Sequence, residues 1–321
     1  MTSIVRTDPL RFAEAVCAGH PDRLADAVAD GIVALATARD AEALVGVEVA
    51  LHRGVVFVDG RVAAGPGPGC AVSEEEVAAV VRDAFARAGY GAAFPPGPEA
   101  LEVRFDLCLG PLEPDERLFR RVADDQVIGV GYACRGRRAG MVPLEQALAR
   151  DFAKALEALR SGGRESWLGP DGKALVVVRG RHLVAVSLSL HHVPAADWLA
   201  LCALAKEACL AVAAEYVAAL ELEPPGDQSS GSIGAGSFDV GGPLGDNGVS
   251  GKKLVAEAFG TAVPIGGGTV HGKDPHKPDV RAQRIARERA IDLVRQGHRE
   301  ATVWVVFRPG DEEPRWVEER R

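Results

Sequence analysis

Four of the chain's seven lysines lie between Gly251 and Asp279, in the segment GKKLVAEAFGTAVPIGGGTVHGKDPHKPD. Lysine carries a compact charge on a flexible stem, which suits contact with phosphate oxygens. Three glycines, Gly266 to Gly268, precede Lys273, so backbone amides could also approach an anion closely. The segment predicts a polyphosphate site, and the alternative interpretation is a flexible surface loop with solvated charges.

The composition of the whole chain favours a small anionic ligand. The 321 residues are 47% hydrophobic and carry a formal net charge of -8, which is typical of a soluble globular protein and argues against a nucleic-acid partner. No apolar run is long enough for a membrane span, and no signal-peptide pattern opens the sequence, so we expect a cytoplasmic protein. The six cysteines are expected to be buried thiols, without disulfides or zinc: Cys17, Cys70, Cys108, Cys134, Cys202 and Cys209.

The first half of the sequence predicts a helix, a hairpin and a second helix. Apolar residues recur every three or four positions from His20 to Arg39, which indicates a helix with Pro21 at its first position. Leu44 to Val62 contains two β-branched runs and predicts a hairpin. A helix is predicted from Ser73 to Ala88, because Ser73 is followed three residues later by a glutamate, as in a capping box.

The order of hairpin and helix returns later in the chain. Ala174 to Leu190 predicts a second hairpin and Ala195 to Leu220 a long helix, and a third hairpin is predicted at Ala301 to Glu318 with no helix after it. Gly110 to Asp124 and Pro224 to Gly251 are predicted loops. We therefore expect sheets with one face covered by helices and the other free to pack on a further sheet, such as one from a second subunit.

Four separated blocks carry a family resemblance, in this order: GHPDR at 19–23, DQVIGVGYA at 125–133, GGPLGDNGVSGKK at 241–253 and GGGTVHGKDPHKPD at 266–279. With them the chain resembles the S-adenosylmethionine synthetases (methionine adenosyltransferases). The resemblance implies an α/β (α+β) fold of three sheet-and-helix units related by pseudo-threefold symmetry. On this sequence the units are expected at 1–122, 123–232 and 233–321, the last one shortened. It also implies a homodimer or a dimer of dimers, with active sites between subunits.

The implied reaction is attack by the thioether sulfur of methionine on C5′ of ATP, which expels the triphosphate that such enzymes then hydrolyse. A thioether has no proton to lose, so the site must align the reactants and stabilise a leaving group that gains negative charge. Cations should therefore dominate, and the expected catalytic residues are His20, Lys173, Lys253, Lys273 and Lys277.

The resemblance also implies the remaining contacts and the cofactors Mg2+ and K+. Asp22 and Asp279 are expected to hold magnesium, and carboxylate oxygens suit that ion. Glu48 is expected near potassium; it lies in the apolar run VGVEVAL, where a buried carboxylate is costly unless it is paired or metal-bound. Phe238 is expected to stack on adenine. The other expected ATP or substrate contacts are Asp125, Asp171, Asp246, Lys252, Asp279 and Arg61.

The sequence departs from the family pattern mostly where methionine should bind. Arg61 stands where the family has a glutamate that faces the methionine amino group, and an arginine would repel that group. The segment Leu109 to Arg120 has no glutamine, although the family's loop supplies one to methionine. Lys252 replaces an arginine, which keeps the charge and loses the bidentate fork.

Three functions remain open on these grounds. The first is adenosyl transfer to methionine through altered contacts, with Arg61 pointing elsewhere or holding the substrate carboxylate. In the second, the adenosyl group goes to a different small nucleophile, one that is anionic and lacks an amine. The third is a non-catalytic relative that binds ATP or regulates an active subunit; the retention of His20, Asp22 and the clustered lysines argues against it.

Overall fold

Three mixed or antiparallel β-sheets, each covered on one face by helices, make up the computed structural model. It describes residues 8–65, 67, 72–136, 140–161, 167–224, 230–233 and 237–321. The strands are β1 (Leu10–Val16), β2 (Leu44–His52), β3 (Val55–Ala63), β4 (Glu102–Gly110), β5 (Val127–Cys134), β6 (Leu168–Arg179), β7 (His182–His192), β8 (Ser230–Ile233), β9 (Gly248–Val249), β10 (Glu300–Phe307) and β11 (Trp316–Arg320). The α-helices are α1 (Pro21–Arg39), α2 (Glu74–Ala88), α3 (Leu144–Ser161), α4 (Trp198–Ala218), α5 (Leu254–Glu257) and α6 (Pro278–Arg295).

The first sheet has the strand order β4-β3-β2-β9 and is covered by α1 and α2. Alternate residues of β2, among them Val47 and Val49, face inward and pack on the apolar stripe of α1. The predicted start of α1 is confirmed, with His20 as N-cap and proline at the first position. The capping box of Ser73 at the start of α2 is present in both directions.

The second sheet has the order β1-β6-β7-β8, and α3 and α4 cover it. The third sheet has the order β11-β10-β5 and packs on α6. Gly129 and Gly131 of β5 lie so close to α6 that a side chain at Gly131 would overlap the backbone of Ala286. Glycines in the strand and alanines on the helix therefore allow this sheet and helix to approach closely.

The mixed α/β architecture is confirmed, together with all three predicted hairpins and the three predicted helices. The prediction missed β1, β4, β5, α3, α5 and α6, and it missed β8 and β9 inside the loop predicted from Pro224. The sheets also exchange strands across the expected unit boundaries at 122 and 232: β1 joins the second sheet, β5 the third and β9 the first. The boundaries stay a prediction about chain segments.

Two further predictions concern the cysteines and the membrane. Cys17 and Cys209 are buried free thiols as expected, but Cys108 is exposed on the outer face of β4, so that part of the prediction is wrong. The period of two places Cys108 opposite the buried side of the strand. Cys70 lies outside the described residues. Within the described part of the chain, no helix combines the length and apolar character needed to cross a membrane.

Candidate active site

The turn before α1 is attached to the second sheet, and this fixes His20 between the first two sheets. The Cys17 amide donates to the Gly172 carbonyl at 2.9 Å, and the Gly19 amide donates to the Pro170 carbonyl at 3.2 Å. A Cβ at Gly19 would overlap Pro170, so only glycine permits this approach. His20 is held at the head of α1 as a result and is 9% exposed.

His20 opens onto a cavity of about 600 Å3. Five of the residues predicted from the sequence line it together: His20, Asp171, Lys173, Phe238 and Asp246. Asp171 is buried, and its carboxylate accepts from the Gly172 amide at 2.7 Å and from the Gly242 amide at 2.8 Å. Asp171 thereby joins β6 to the glycine segment on the other side of the cavity.

The imidazole of His20 is neutral at neutral pH in this environment. Burial lowers its pKa. The carboxylates of Asp171 and Asp22 oppose this shift, and the charges of Lys253 and Lys173 add to it. The Nδ1 atom accepts from the Asp22 amide at 3.3 Å. A neutral imidazole that accepts at Nδ1 carries its hydrogen at Nε2, so His20 offers an N–H donor.

Asp22 is fully buried beside two of the clustered lysines. Lys253 Nζ lies 2.9 Å and Lys252 Nζ 3.5 Å from its carboxylate oxygens, and the Val249 amide donates to it at 3.0 Å. Burial alone would raise the pKa of Asp22, but the hydrogen bonds from Lys253 and Val249 lower it below its ordinary value. Asp22 is therefore ionised, and the two lysines are held next to His20.

Lys273 and Lys277 form a separate cluster beside β2. The backbone of Lys273 forms an isolated antiparallel β-bridge with Gly46 of β2. Its side-chain ammonium lies 2.9 Å from the carboxylate of Asp279. Lys277 lies 2.6 Å from Asp124. Neither lysine is among the described residues that line the cavity of His20. The structure thus divides the predicted cations into two groups within one chain.

Asp124 was missed by the sequence analysis, which selected its neighbour Asp125. Asp125 is exposed and accepts from the adjacent Gln126 amide. Its role as a substrate contact stays a prediction. Because the two acids are adjacent and chemically identical, no feature of the sequence distinguishes them.

Glu48 is exposed, so the expectation of a buried carboxylate at this position is wrong. The apolar run alternates, with Val47 and Val49 buried, and Glu48 points to the exposed outer face of the first sheet. There it stands directly opposite Asp59 of β3. Its predicted proximity to potassium stays a prediction and no longer has the support of a buried charge.

Arg61 is bound to the loop that follows β4. Its Nε and Nη2 atoms each donate to Glu116 at 2.9 Å, Nη1 donates to the Cys108 carbonyl at 3.1 Å and Nη2 to the Pro111 carbonyl at 2.9 Å. The Glu116 carboxylate raises the pKa of Arg61, and Arg61 lowers that of Glu116. Arg61 is therefore a paired residue whose charge is neutralised within its own chain.

Tyr90 is a second residue that the sequence analysis missed. It follows α2 directly and is buried, and its hydroxyl donates to the Gly19 carbonyl in the turn before His20. The same hydroxyl lies against Gly242, which has a φ of 61° and no room for a side chain. Tyr90 thus joins the turn that carries His20 to the glycine segment of the cavity. A single aromatic residue after a helix gives no sequence signal for such a role.

Comparison with known proteins gives consistent similarities along the chain. Three family models match: the N-terminal domain of S-adenosylmethionine synthetase over residues 9–96, the central domain over 120–199 and the C-terminal domain over 240–318. The S-adenosylmethionine synthase of Parafrankia sp. is 30% identical, with 89% of this chain and 74% of that protein covered. S-adenosylmethionine synthase 1 of Frankia casuarinae is 32% identical, with 94% and 79% covered. An unusual S-adenosylmethionine synthetase from Campylobacter jejuni has a similar structure, with a TM-score of 0.83, 24% identity and 97% and 80% of the two chains covered.

Proposed function

Because the chain belongs to the S-adenosylmethionine synthetase family, we propose that it transfers the adenosyl group of ATP to L-methionine with release and hydrolysis of triphosphate. The observation that supports this most directly is the cavity in which His20, Lys173 and Phe238 meet. It combines a neutral N–H donor, an ammonium and an aromatic ring, which are groups that suit a nucleotide polyphosphate.

The residues that line the cavity, together with Lys253 beside His20, would act on ATP by position and charge. Phe238 offers its ring to adenine, and its amide donates to His192 at 3.1 Å, which fixes the segment that carries it. His20 would donate from Nε2 to a phosphate oxygen, and Lys173 and Lys253 would compensate the charge that develops on the leaving group. No residue is required as a general base, because the attacking sulfur has no proton to lose.

The donor set fits magnesium at Asp22 and Asp279. Both are carboxylates, the ligand type that magnesium prefers, and each shares its charge with lysines that keep partial exposure and can turn towards phosphate. When bound, magnesium would neutralise phosphate oxygens of the substrate. For potassium, the exposed Glu48 remains the proposed ligand.

We further propose that the enzyme acts as a homodimer or a dimer of dimers, with active sites between subunits. Support comes from Lys273 and Lys277, which pair with Asp279 and Asp124 beside β2 and are not among the described residues that line the cavity. A second copy could bring its Lys273 cluster to this cavity. Exposed apolar side chains on the outer faces of the sheets, including Phe12, Leu175 and Ile128, suit such packing.

The pairing of Arg61 favours methionine over an anionic acceptor. A free arginine would attract an anion and repel the methionine amino group, whereas Arg61 already has both sides of its guanidinium bound to Glu116 and to backbone carbonyls. The net charge at this position is therefore near zero. Transfer to a different nucleophile and the non-catalytic, ATP-binding alternative become outcomes of the test.

The test is incubation of the purified protein with ATP, Mg2+, K+ and L-methionine, with adenosylmethionine measured by mass spectrometry together with released phosphate. Wild type should form both products, Lys173→Met should lose adenosylmethionine, and Lys154→Met, at an exposed position on α3, should match wild type. Phosphate release without adenosylmethionine would exclude methionine as the acceptor. No product at all would favour the non-catalytic alternative.

A further inference from the structure

A histidine and three carboxylates lie close together between α1 and α5, and none of them is among the described residues that line the nucleotide cavity. Asp26 and Asp30 lie one turn apart on α1, Glu257 ends α5, and His271 lies in the glycine-rich segment before Lys273. One ligand atom each from Asp26, Glu257 and His271 can be chosen so that all three lie within 4.8 Å of one another. Residues far apart in sequence thus place an imidazole nitrogen and carboxylate oxygens around one point.

The orientation of His271 is the one found in metal sites. Its Nδ1 lies 2.8 Å from Asp30, which leaves Nε2 facing Glu257 at 2.7 Å and Asp26 at 3.9 Å. Histidines that bind a metal through one nitrogen commonly donate the other N–H to a carboxylate, which fixes the tautomer and the direction of the ring. Asp30 would hold His271 in that way.

Asp26 supplies an independent indication of a ligand site. The residue is 1% exposed; its Oδ1 accepts from the Gly251 amide at 2.7 Å, while no described group makes a hydrogen bond to its buried Oδ2. A buried carboxylate oxygen without a partner is costly. This oxygen faces the nitrogen of His271, where a cation would satisfy it.

We propose that Asp26, Glu257 and His271 form a binding site for a divalent transition-metal ion of the zinc type, distinct from the nucleotide site. Two carboxylates and an imidazole suit such an ion, whereas magnesium prefers oxygen ligands alone. A cavity of about 250 Å3 borders Glu257 and His271 and provides room for a water ligand. The bound ion would connect α1 to α5 and to the segment that carries Lys273.

A proton on His271 and the side chain of Arg23 compete with a metal ion for this position. Burial alone would lower the pKa of His271, but its bonds to Asp30 and Glu257 and the charge of Asp26 raise it to about 10. Arg23 pairs with Glu257, and Arg150 of α3 contacts the carbonyl of the same residue. Because binding must displace the proton from Nε2, metal binding should release protons and weaken as the pH falls. The side chain of Arg23 is 40% exposed and can turn outward.

The experiment measures zinc binding to the full chain by calorimetry, and cobalt binding by its visible absorption, after dialysis against a chelator. Wild type should bind one equivalent, more tightly at about pH 8 than at about pH 7. The variants His271→Ala and Asp26→Asn should lose affinity at least ~10-fold. His276→Ala is the matched control, since His276 lies in the same segment and faces the carbonyls of Arg120 and Ala41, and it should bind as wild type does.

Circular dichroism of each variant separates lost ligands from lost folding, and the conservative Asp26→Asn change keeps the shape of the side chain. Competition with excess Mg2+ should leave the cobalt spectrum unchanged, because the proposed site contains nitrogen. Wild type that binds neither zinc nor cobalt at either pH would overturn the proposal. Equal binding by wild type and a folded His271→Ala variant would also overturn it.

Discussion

Separating Arg61 from Glu116 should destabilise the protein through the loop that follows β4. Two parallel hydrogen bonds of 2.9 Å join the guanidinium to the carboxylate, and the side chains are 25% and 21% exposed. Charge-assisted bonds of this geometry contribute more than neutral ones, and the low exposure limits screening by solvent. We expect a coupling free energy of about 1–3 kcal/mol between the two residues.

A double-mutant cycle measures this coupling free energy. Arg61→Ala, Glu116→Ala and the double variant are compared with wild type by urea unfolding, which gives the free energy of unfolding of each protein. The control cycle uses Arg104 and Glu102 on the neighbouring strand, whose side chains are 60% and 59% exposed. That pair should show no measurable coupling, because solvent screens it.

The same variants test whether the pair neutralises charge near the acceptor. Glu116→Ala leaves the charge of Arg61 without its carboxylate partner, so the KM for methionine should rise while the KM for ATP stays unchanged. Additive stability losses in the first cycle would refute the structural reasoning. An unchanged KM for methionine in a folded Glu116→Ala variant would place Arg61 outside the acceptor pocket.

Two other changes test the positioning of His20 and of the lysines. Tyr90→Phe removes the hydroxyl that donates to the Gly19 carbonyl and leaves that carbonyl unpaired. We expect a loss of about 1–3 kcal/mol in the free energy of unfolding, measured with urea, and a raised KM for ATP. An unchanged KM for ATP would mean that Tyr90 contributes to stability alone. Lys253→Arg keeps the charge but can bind Asp22 at two points, so turnover should fall in a steady-state assay, and wild-type turnover would show that any cation suffices.

Local signals in the sequence predicted those elements whose ends are determined by neighbouring residues. Ser73 and its glutamate three positions later form a capping box by spacing alone, and Pro21 after His20 identifies the start of α1. α6 was missed because its buried stripe consists largely of alanines, such as Ala282 and Ala286, between charged residues. That stripe is buried because glycines of β5 lie opposite it. This contact belongs to the tertiary structure and cannot be inferred from the sequence of the helix.

The sequence indicated which residues could belong to the candidate site, but not how they would pair. The family resemblance implied roles for His20, Asp171 and Phe238, although only His20 lies in one of the four blocks, and the structure brings the three residues to one cavity. The alternation of β2 could have placed Glu48 on the outer face, had its run been interpreted with a period of two. By contrast, the choice of Asp124 over Asp125 as the partner of Lys277 depends on a one-residue difference in position that only the fold determines.

Every lysine predicted to be catalytic has a carboxylate partner in its own chain, and the pairs are Lys173 with Glu14 at 3.2 Å, Lys253 with Asp22 at 2.9 Å, Lys273 with Asp279 at 2.9 Å and Lys277 with Asp124 at 2.6 Å. A polyphosphate must therefore compete with these carboxylates for the ammonium groups. A lysine can rotate its three donors to a new acceptor, whereas the fork of Arg61 is held by several acceptors at once. Lysine therefore suits the pairs near the substrate, where the ammonium must exchange a carboxylate for a phosphate. Arginine suits position 61, where the same partners hold the loop after β4.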